Sequence, residues 1–149
     1  MTVRYADTSA LVRCWLPGED PEDGEQLRVL LLDGPDPVVT SELTRVELAS
    51  AAEAAVRAGR IRRSAGLLAR ADRAWSEDGP VALLALEPRV VLPLARRIVL
   101  DHAVRTLDAL HLAVAGSTTV ELAAGDPIEF VTRDARQAEA ASALGMLVR

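Results

Sequence analysis

Four carboxylates stand apart from the other acids of this 149-residue chain by where they fall. Asp7 closes the apolar run Val3–Ala6 and opens Asp7-Thr8-Ser9. Glu47 lies between Val46 and Leu48 in a stretch with helical spacing. Asp108 sits in Leu107-Asp108-Ala109-Leu110-His111-Leu112-Ala113-Val114, a segment apolar almost all round. Asp134 follows Phe130-Val131-Thr132-Arg133 and precedes another helical stretch. Each has an ordinary explanation. Asp7 and Asp134 suit helix N-caps, and Glu47 suits the surface of an amphipathic helix. Asp108 suits an ion pair with Arg105, three residues earlier. Read as a mid-helix acid in an apolar helix, Asp108 is the hardest to explain, because a buried carboxylate is costly unless paired or metal-bound. His111, one turn further on, is either a ligand or a satisfied core residue. Asp101 and Asp126 are weaker candidates, at a helix end and in a turn.

The set argues more than its members. Two acids stand at strand ends, and two stand on helices that can face the same crevice. Carboxylates at close quarters repel, and apart from protonation a cation resolves the repulsion most simply. Oxygen-only ligation with little His or Cys points to Mg²⁺ or Mn²⁺ rather than Zn²⁺. A carboxylate-held divalent pair suits phosphodiester hydrolysis, one ion generating hydroxide and the other stabilising the leaving oxygen.

Composition removes rival chemistries. All 17 basic residues are Arg. Without Lys there is no P-loop, no Schiff-base nucleophile and no phosphotransfer receiver of the usual kind, since Arg stays protonated and cannot replace a titrating amine. Cys14 is the sole cysteine, which excludes an intramolecular disulfide, a thiolate zinc site and a redox pair. Four aromatic residues, Tyr5, Trp15, Trp75 and Phe130, are too few for an extended base-stacking platform. The net charge of −5 argues against indiscriminate nucleic-acid binding but leaves room for an acidic centre with a basic rim. No run approaches the ~18 apolar residues of a membrane span, and the N-terminus lacks a signal-peptide pattern, so the cytoplasm is the expected location.

The elements that must position these acids follow from periodicity and punctuation. Strands are expected at Val3–Ala6, Val38–Thr40, Val81–Leu86, Ile128–Thr132 and Met146–Val148. Helices are expected at Ala10–Leu16 with a stop at Pro17-Gly18, Glu19–Asp33, Ser41–Gly59, Arg62–Glu77, Pro88 to about His102, Thr106–Gly116 and Asp134–Leu144. Ser117–Pro127 reads as a loop. Short apolar strands alternating with helices predict a parallel sheet covered on both faces, with ligands outside the carboxyl ends of the strands. Residues 1–149 read as a single domain.

These residues resemble a known family. Asp7-Thr8-Ser9-Ala10-Leu11 resembles the opening acidic motif of PIN domains. Ser41-Glu42-Leu43-Thr44-Arg45-Val46-Glu47-Leu48 resembles their second motif. Arg105 to Ala113 resembles the acid-bearing helix of VapC-type members, and Thr132-Arg133-Asp134 resembles the closing motif. The four occur in family order along the whole chain. The resemblance implies a three-layer α/β/α PIN-like fold, with a central mostly parallel sheet of about four to five short strands. It implies an Mg²⁺- or Mn²⁺-dependent endoribonuclease, the toxin of a type II toxin–antitoxin module, with RNA as substrate, a VapB-type antitoxin as inhibitor and a second copy in a homodimer. It implies Asp7, Glu47, Asp108 and Asp134 as catalytic and metal-binding residues, with the hydroxyls of Thr8, Ser9 and Thr132 orienting carboxylates or water. Arg13, Arg45, Arg105 and Arg133 lie near the motifs and are candidates for the RNA phosphate, each with an ion pair as the alternative. Two other functions compete: a PIN-type RNA-processing nuclease outside any toxin module, and a non-catalytic RNA- or protein-binding module of the same fold.

Overall fold

Five short apolar runs become the strands of one all-parallel sheet in the computed structural model, which describes residues 1–16, 18 and 20–149. They are β1 (Val3–Ala6), β2 (Val38–Ser41), β3 (Val81–Leu84), β4 (Ile128–Val131) and β5 (Leu147–Val148), in the spatial order β3-β2-β1-β4-β5. The register sets Tyr5 beside Val39 and Phe130, and Ala6 beside Val131. Alternation along each strand sends side chains to opposite faces. Tyr5, Val39 and Phe130 enter one apolar cluster, while Ala6, Val38 and Val131 enter another.

Helices cover both faces, which makes three layers. On the first face lie α5 (Pro88–Asp101), α6 (Thr106–Ala115), α7 (Thr118–Ala123) and α8 (Ala135–Ala143), contributing Val91, Ile98, Leu112 and Ala141 to the core. On the second lie α1 (Thr8–Leu11), which runs into a 3₁₀ turn at Val12–Cys14, and α2 (Pro21–Leu31) with Leu27 and Leu31. The pair α3 (Leu43–Arg57) and α4 (Ala65–Ala74) closes a third cluster of Leu48, Ala52, Ala55, Leu67 and Ala71. Tyr5 stacks on Phe130 with ring centroids 5.3 Å apart, both fully buried at the sheet's centre. No helix among the described residues is long and apolar enough to cross a membrane.

Two expectations need correction. Ser117–Pro127 is not a plain loop, because Thr118–Ala123 forms α7. The helix ends where Ala124 takes a left-handed backbone (φ 50°) and Gly125 follows at φ 102°. Asp108 is not a mid-helix acid either. It occupies the first turn of α6, where free backbone amides and the helix dipole favour a carboxylate. The expected helix stop at Pro17 and helix start at Glu19 lie outside the described residues.

Candidate active site

The acids gather past the carboxyl ends of β1, β2 and β4. Asp7 is buried and caps α1: its Oδ2 accepts from the Ser9 amide at 3.0 Å. Its own amide donates to the Val131 carbonyl at 2.9 Å, which ties the end of β1 to the end of β4. Asp134 caps α8, accepting from the Gln137 amide at 2.9 Å. Both N-cap roles are therefore realised. They do not exhaust the groups, because a carboxylate has about four acceptor positions.

Asp108 reaches the same place from α6. Its side chain is 17% exposed and pairs with the exposed Arg105 at 3.4 Å. Burial, chiefly, holds its carboxyl above the ordinary range; Arg105 opposes this, and the charges of Asp7 and Asp134 add to it. Three carboxylates thus share one electrostatic neighbourhood.

Glu47 joins from the other side, on α3. Its Oε1 lies 3.0 Å from the Thr8 hydroxyl and 2.5 Å from His111 Nε2. His111 is fully buried, with Nδ1 2.8 Å from the Tyr5 hydroxyl and Nε2 3.8 Å from Asp7 Oδ1. Burial opposes the imidazolium. The hydrogen bond that Nε2 donates to Glu47 and the charges of Asp7, Glu47 and Asp108 outweigh it, so the His111 pKa lies above the usual value. His111 is the satisfied buried residue rather than an open ligand. Tyr5 is pushed in the same direction, by burial and then by Asp7. Behind Thr8, Thr44 stands 2.8 Å from Thr40, whose hydroxyl donates to the Ala6 carbonyl at 2.6 Å.

Sequence reasoning missed Gln137, which lies at the middle of the site. Its side chain is fully buried on α8. Nε2 donates to Asp7 Oδ1 at 3.1 Å and faces the Asp108 carbonyl at 3.5 Å. Oε1 accepts from Thr132 Oγ1 at 2.7 Å. The hydroxyls around it have only one consistent orientation. The Arg133 amide donates to Ser9 Oγ, and the Asp134 amide donates to Thr132 Oγ1. Thr132 spends its proton on Gln137, so Ser9 donates to Thr132 across 3.1 Å. The amide of Gln137 is fixed with its NH₂ toward Asp7 because both groups on that side, the Asp7 carboxylate and the Asp108 carbonyl, can only accept. One signal was present in the sequence: Asp134-Ala135-Arg136-Gln137 has capping-box spacing, acid then glutamine three residues on.

The four candidate arginines divide. Arg13 and Arg133 both grip Asp23 of α2, Arg13 at 2.8 Å and Arg133 through three contacts of 2.7 to 3.0 Å. They brace α2 against the β4–α8 turn. Arg105 pairs with Asp108, and Arg45 is exposed on α3.

Among the described residues, no three His, Cys, Asp or Glu side chains form a ready coordinating group. Each acid is turned toward its own protein donor: Asp7 to Ser9 and Gln137, Glu47 to Thr8 and His111, Asp108 to Arg105, Asp134 to Gln137.

Comparison with known proteins agrees with this geometry. The PIN domain matches residues 4–143. The chain is 36% identical over 131 residues to Ribonuclease VapC45 of Mycobacterium tuberculosis strain CDC 1551 / Oshkosh, covering 85% of this chain and 80% of that protein. The same identity and coverage relate it to Ribonuclease VapC49 of strain ATCC 25618 / H37Rv. The chain belongs to the PIN domain family, among its VapC-type members.

Proposed function

We propose that this chain is a metal-dependent endoribonuclease and the toxin of a type II toxin–antitoxin pair. The observation that carries the reading is that one buried residue, Gln137, touches Asp7, the Asp108 carbonyl and Asp134 together, with Glu47 linked to Asp7 through His111. Likeness to two VapC ribonucleases supplies the substrate class.

The donor set suits a hard divalent cation. Its atoms are carboxylate oxygens with no thiolate, and its one imidazole is already held by Tyr5 and Glu47. Asp7, Asp108 and Asp134 would hold Mg²⁺ or Mn²⁺, with Glu47 holding a second ion or a water. Such an ion, when bound, activates water and neutralises charge on the phosphoryl oxygens. The protein's part is orientation. Ser9 and Gln137 fix both oxygens of Asp7, Thr8 and His111 fix Glu47, and Thr132 fixes Gln137. The remaining parts of the reading come with the family: a VapB-type antitoxin that blocks the site, a homodimer, a cytoplasmic location and action as one domain.

Purified chain incubated with defined RNAs tests this directly. Cutting is expected with Mn²⁺ or Mg²⁺, none with EDTA, and none from Asp7→Ala, with 5′-phosphate and 3′-hydroxyl products. A 2′,3′-cyclic phosphate would refute the hydrolytic mechanism, because it means attack by the RNA's own 2′-hydroxyl. A folded chain that binds Mn²⁺ weakly and cuts no RNA would favour the non-catalytic binding module.

A further inference from the structure

Outside the acidic cluster, the strongest charge feature is on α4 and the segment before it. Residues 57–73 hold Arg57, Arg60, Arg62, Arg63, Arg70 and Arg73 against one acid, Asp72. The stretch carries a formal +5 in a chain whose net charge is −5. All six side chains are exposed, and none pairs with a carboxylate among the described residues. The acid within the stretch is otherwise engaged: Asp72 accepts from Trp75 Nε1 at 3.2 Å. Glu53, across on α3, is taken by Ser64. Crowded like charges without partners repel one another, and a bound anion would relieve that repulsion.

The patch has shape as well as charge. Arg63, Arg70, Arg73 and Trp15 wall an open depression of about 670 Å³, and helical spacing brings Gly66, Arg70 and Arg73 to one face of α4. A Cβ added at Gly66 would meet nothing within 4 Å, so that face is unobstructed. Trp15 is half-buried and stands edge to face with Trp75 at 5.8 Å. Trp75 lines a second depression that Arg45 shares. Trp15 directly follows the short helical segment that Asp7 caps, so the ring is carried on the same stretch of chain as that acid.

We infer that this arginine face docks the phosphate backbone of the RNA strand that enters the acidic centre. Arg63, Arg70 and Arg73 grip phosphates, and Trp15 offers a ring to an unstacked base. The inference rests on the ribonuclease reading and names where its substrate is held. A guanidinium meets phosphate as a two-pronged donor. A chain of net negative charge needs a local positive track to hold a polyanion beside four carboxylates.

The test uses the full chain carrying Asp7→Asn, so that RNA is bound and not cut. The probe is a fluorescein-labelled single-stranded RNA of roughly 12 nucleotides, followed by anisotropy at several salt concentrations. Combining Arg63→Gln, Arg70→Gln and Arg73→Gln is expected to weaken binding by about tenfold or more. It should also flatten the slope of log K against log salt by about 2, at roughly 0.7 for each phosphate no longer neutralised. The same charge change on α5, through Arg89→Gln, Arg96→Gln and Arg97→Gln, serves as control and is expected to leave affinity within about twofold. With Asp7 restored, the α4 variant should raise KM for RNA while kcat changes little. Unchanged affinity in the α4 variant, or an equal loss in the control, overturns the inference. So does binding of a polyglutamate peptide without binding of RNA, which would assign the face to an acidic protein segment. The two readings fail separately. RNA cutting with unchanged KM in the α4 variant refutes the track and spares the nuclease. RNA binding through α4 without any cutting by the wild type refutes the nuclease and spares the track.

Discussion

Replacing Gln137 with glutamate puts a fifth carboxyl among the four. Protonated, the new side chain can mimic the amide: one oxygen accepts from Thr132, and the hydroxyl donates to Asp7 where Nε2 stood at 3.1 Å. Ionised, it faces the Asp7 carboxylate with no donor between them. Its folded-state pKa is therefore raised above the unfolded value of about 4.3. A buried acid of this kind shifts by about 3 units or more. At about 1.36 kcal/mol per unit, the cost of Gln137→Glu is near zero below about pH 4 and about 1 kcal/mol at pH 5. It grows to about 4 kcal/mol by pH 8 and levels off above the folded-state pKa. Gln137→Leu behaves differently. It removes a hydrogen bond to a charged acceptor and strands the Thr132 hydroxyl, together about 4 kcal/mol at any pH between about 5 and 8. Urea unfolding of both variants and the wild type across that range measures the difference. The glutamate variant should be clearly the more stable of the two at pH 5 and lose that advantage by pH 8. A Gln137→Glu cost that does not change with pH, or a Gln137→Leu cost below about 1 kcal/mol, refutes the directed network around Gln137.

Two further outcomes follow from the same structure. Mn²⁺ should stabilise the wild type by about 2.7 kcal/mol at a hundred times its dissociation constant, and Asp7→Asn, which keeps an acceptor for the α1 cap, should abolish that gain; an equal gain in the variant would place the ion elsewhere. Asp23, held low chiefly by its hydrogen bond from Arg133, and Glu129, held low by Arg149 and Arg4 against its own burial, contribute stability above their unfolded pKa values that is lost as pH falls through the lower folded ones. Asp23→Asn and Glu129→Gln should each flatten the acid side of the stability curve below about pH 4.5, and an unchanged curve from urea unfolding would remove these pairs from the account.

Much of the candidate site was legible because acids at strand ends break the pattern that precedes them. An apolar run ending in Asp, then Thr-Ser or a new helix, marks Asp7 and Asp134 without any coordinates. Glu47 was legible as a residue but not in its contacts, since its partners Thr8 and His111 are 39 and 64 residues away. Gln137 was hidden by its neutrality: on an Ala-rich helix a glutamine reads as solvent-facing, and only tertiary packing buries it. Helix α7 was hidden by composition. Thr118, Thr119 and Val120 are poor helix formers, and Gly125-Asp126-Pro127 advertises a turn. Thr119 and Ala123 are nonetheless buried, which shows that packing overrides the local preference. The arginines near the motifs were easy to find and hard to assign, because the acid that holds Arg13 and Arg133 lies on α2, outside every motif.

The pairing of β1 with β4 joins residues 125 positions apart, so the central strand of the sheet waits for a partner made much later. A nascent chain that has reached α4 carries Asp7 and Glu47, but it lacks Asp108, Asp134 and the glutamine that orients Asp7. Contacts of such long sequence separation form late and slowly. The candidate centre is thus assembled only after β4 and α8 have joined β1, so a copy that stops short of them holds only part of the acidic set.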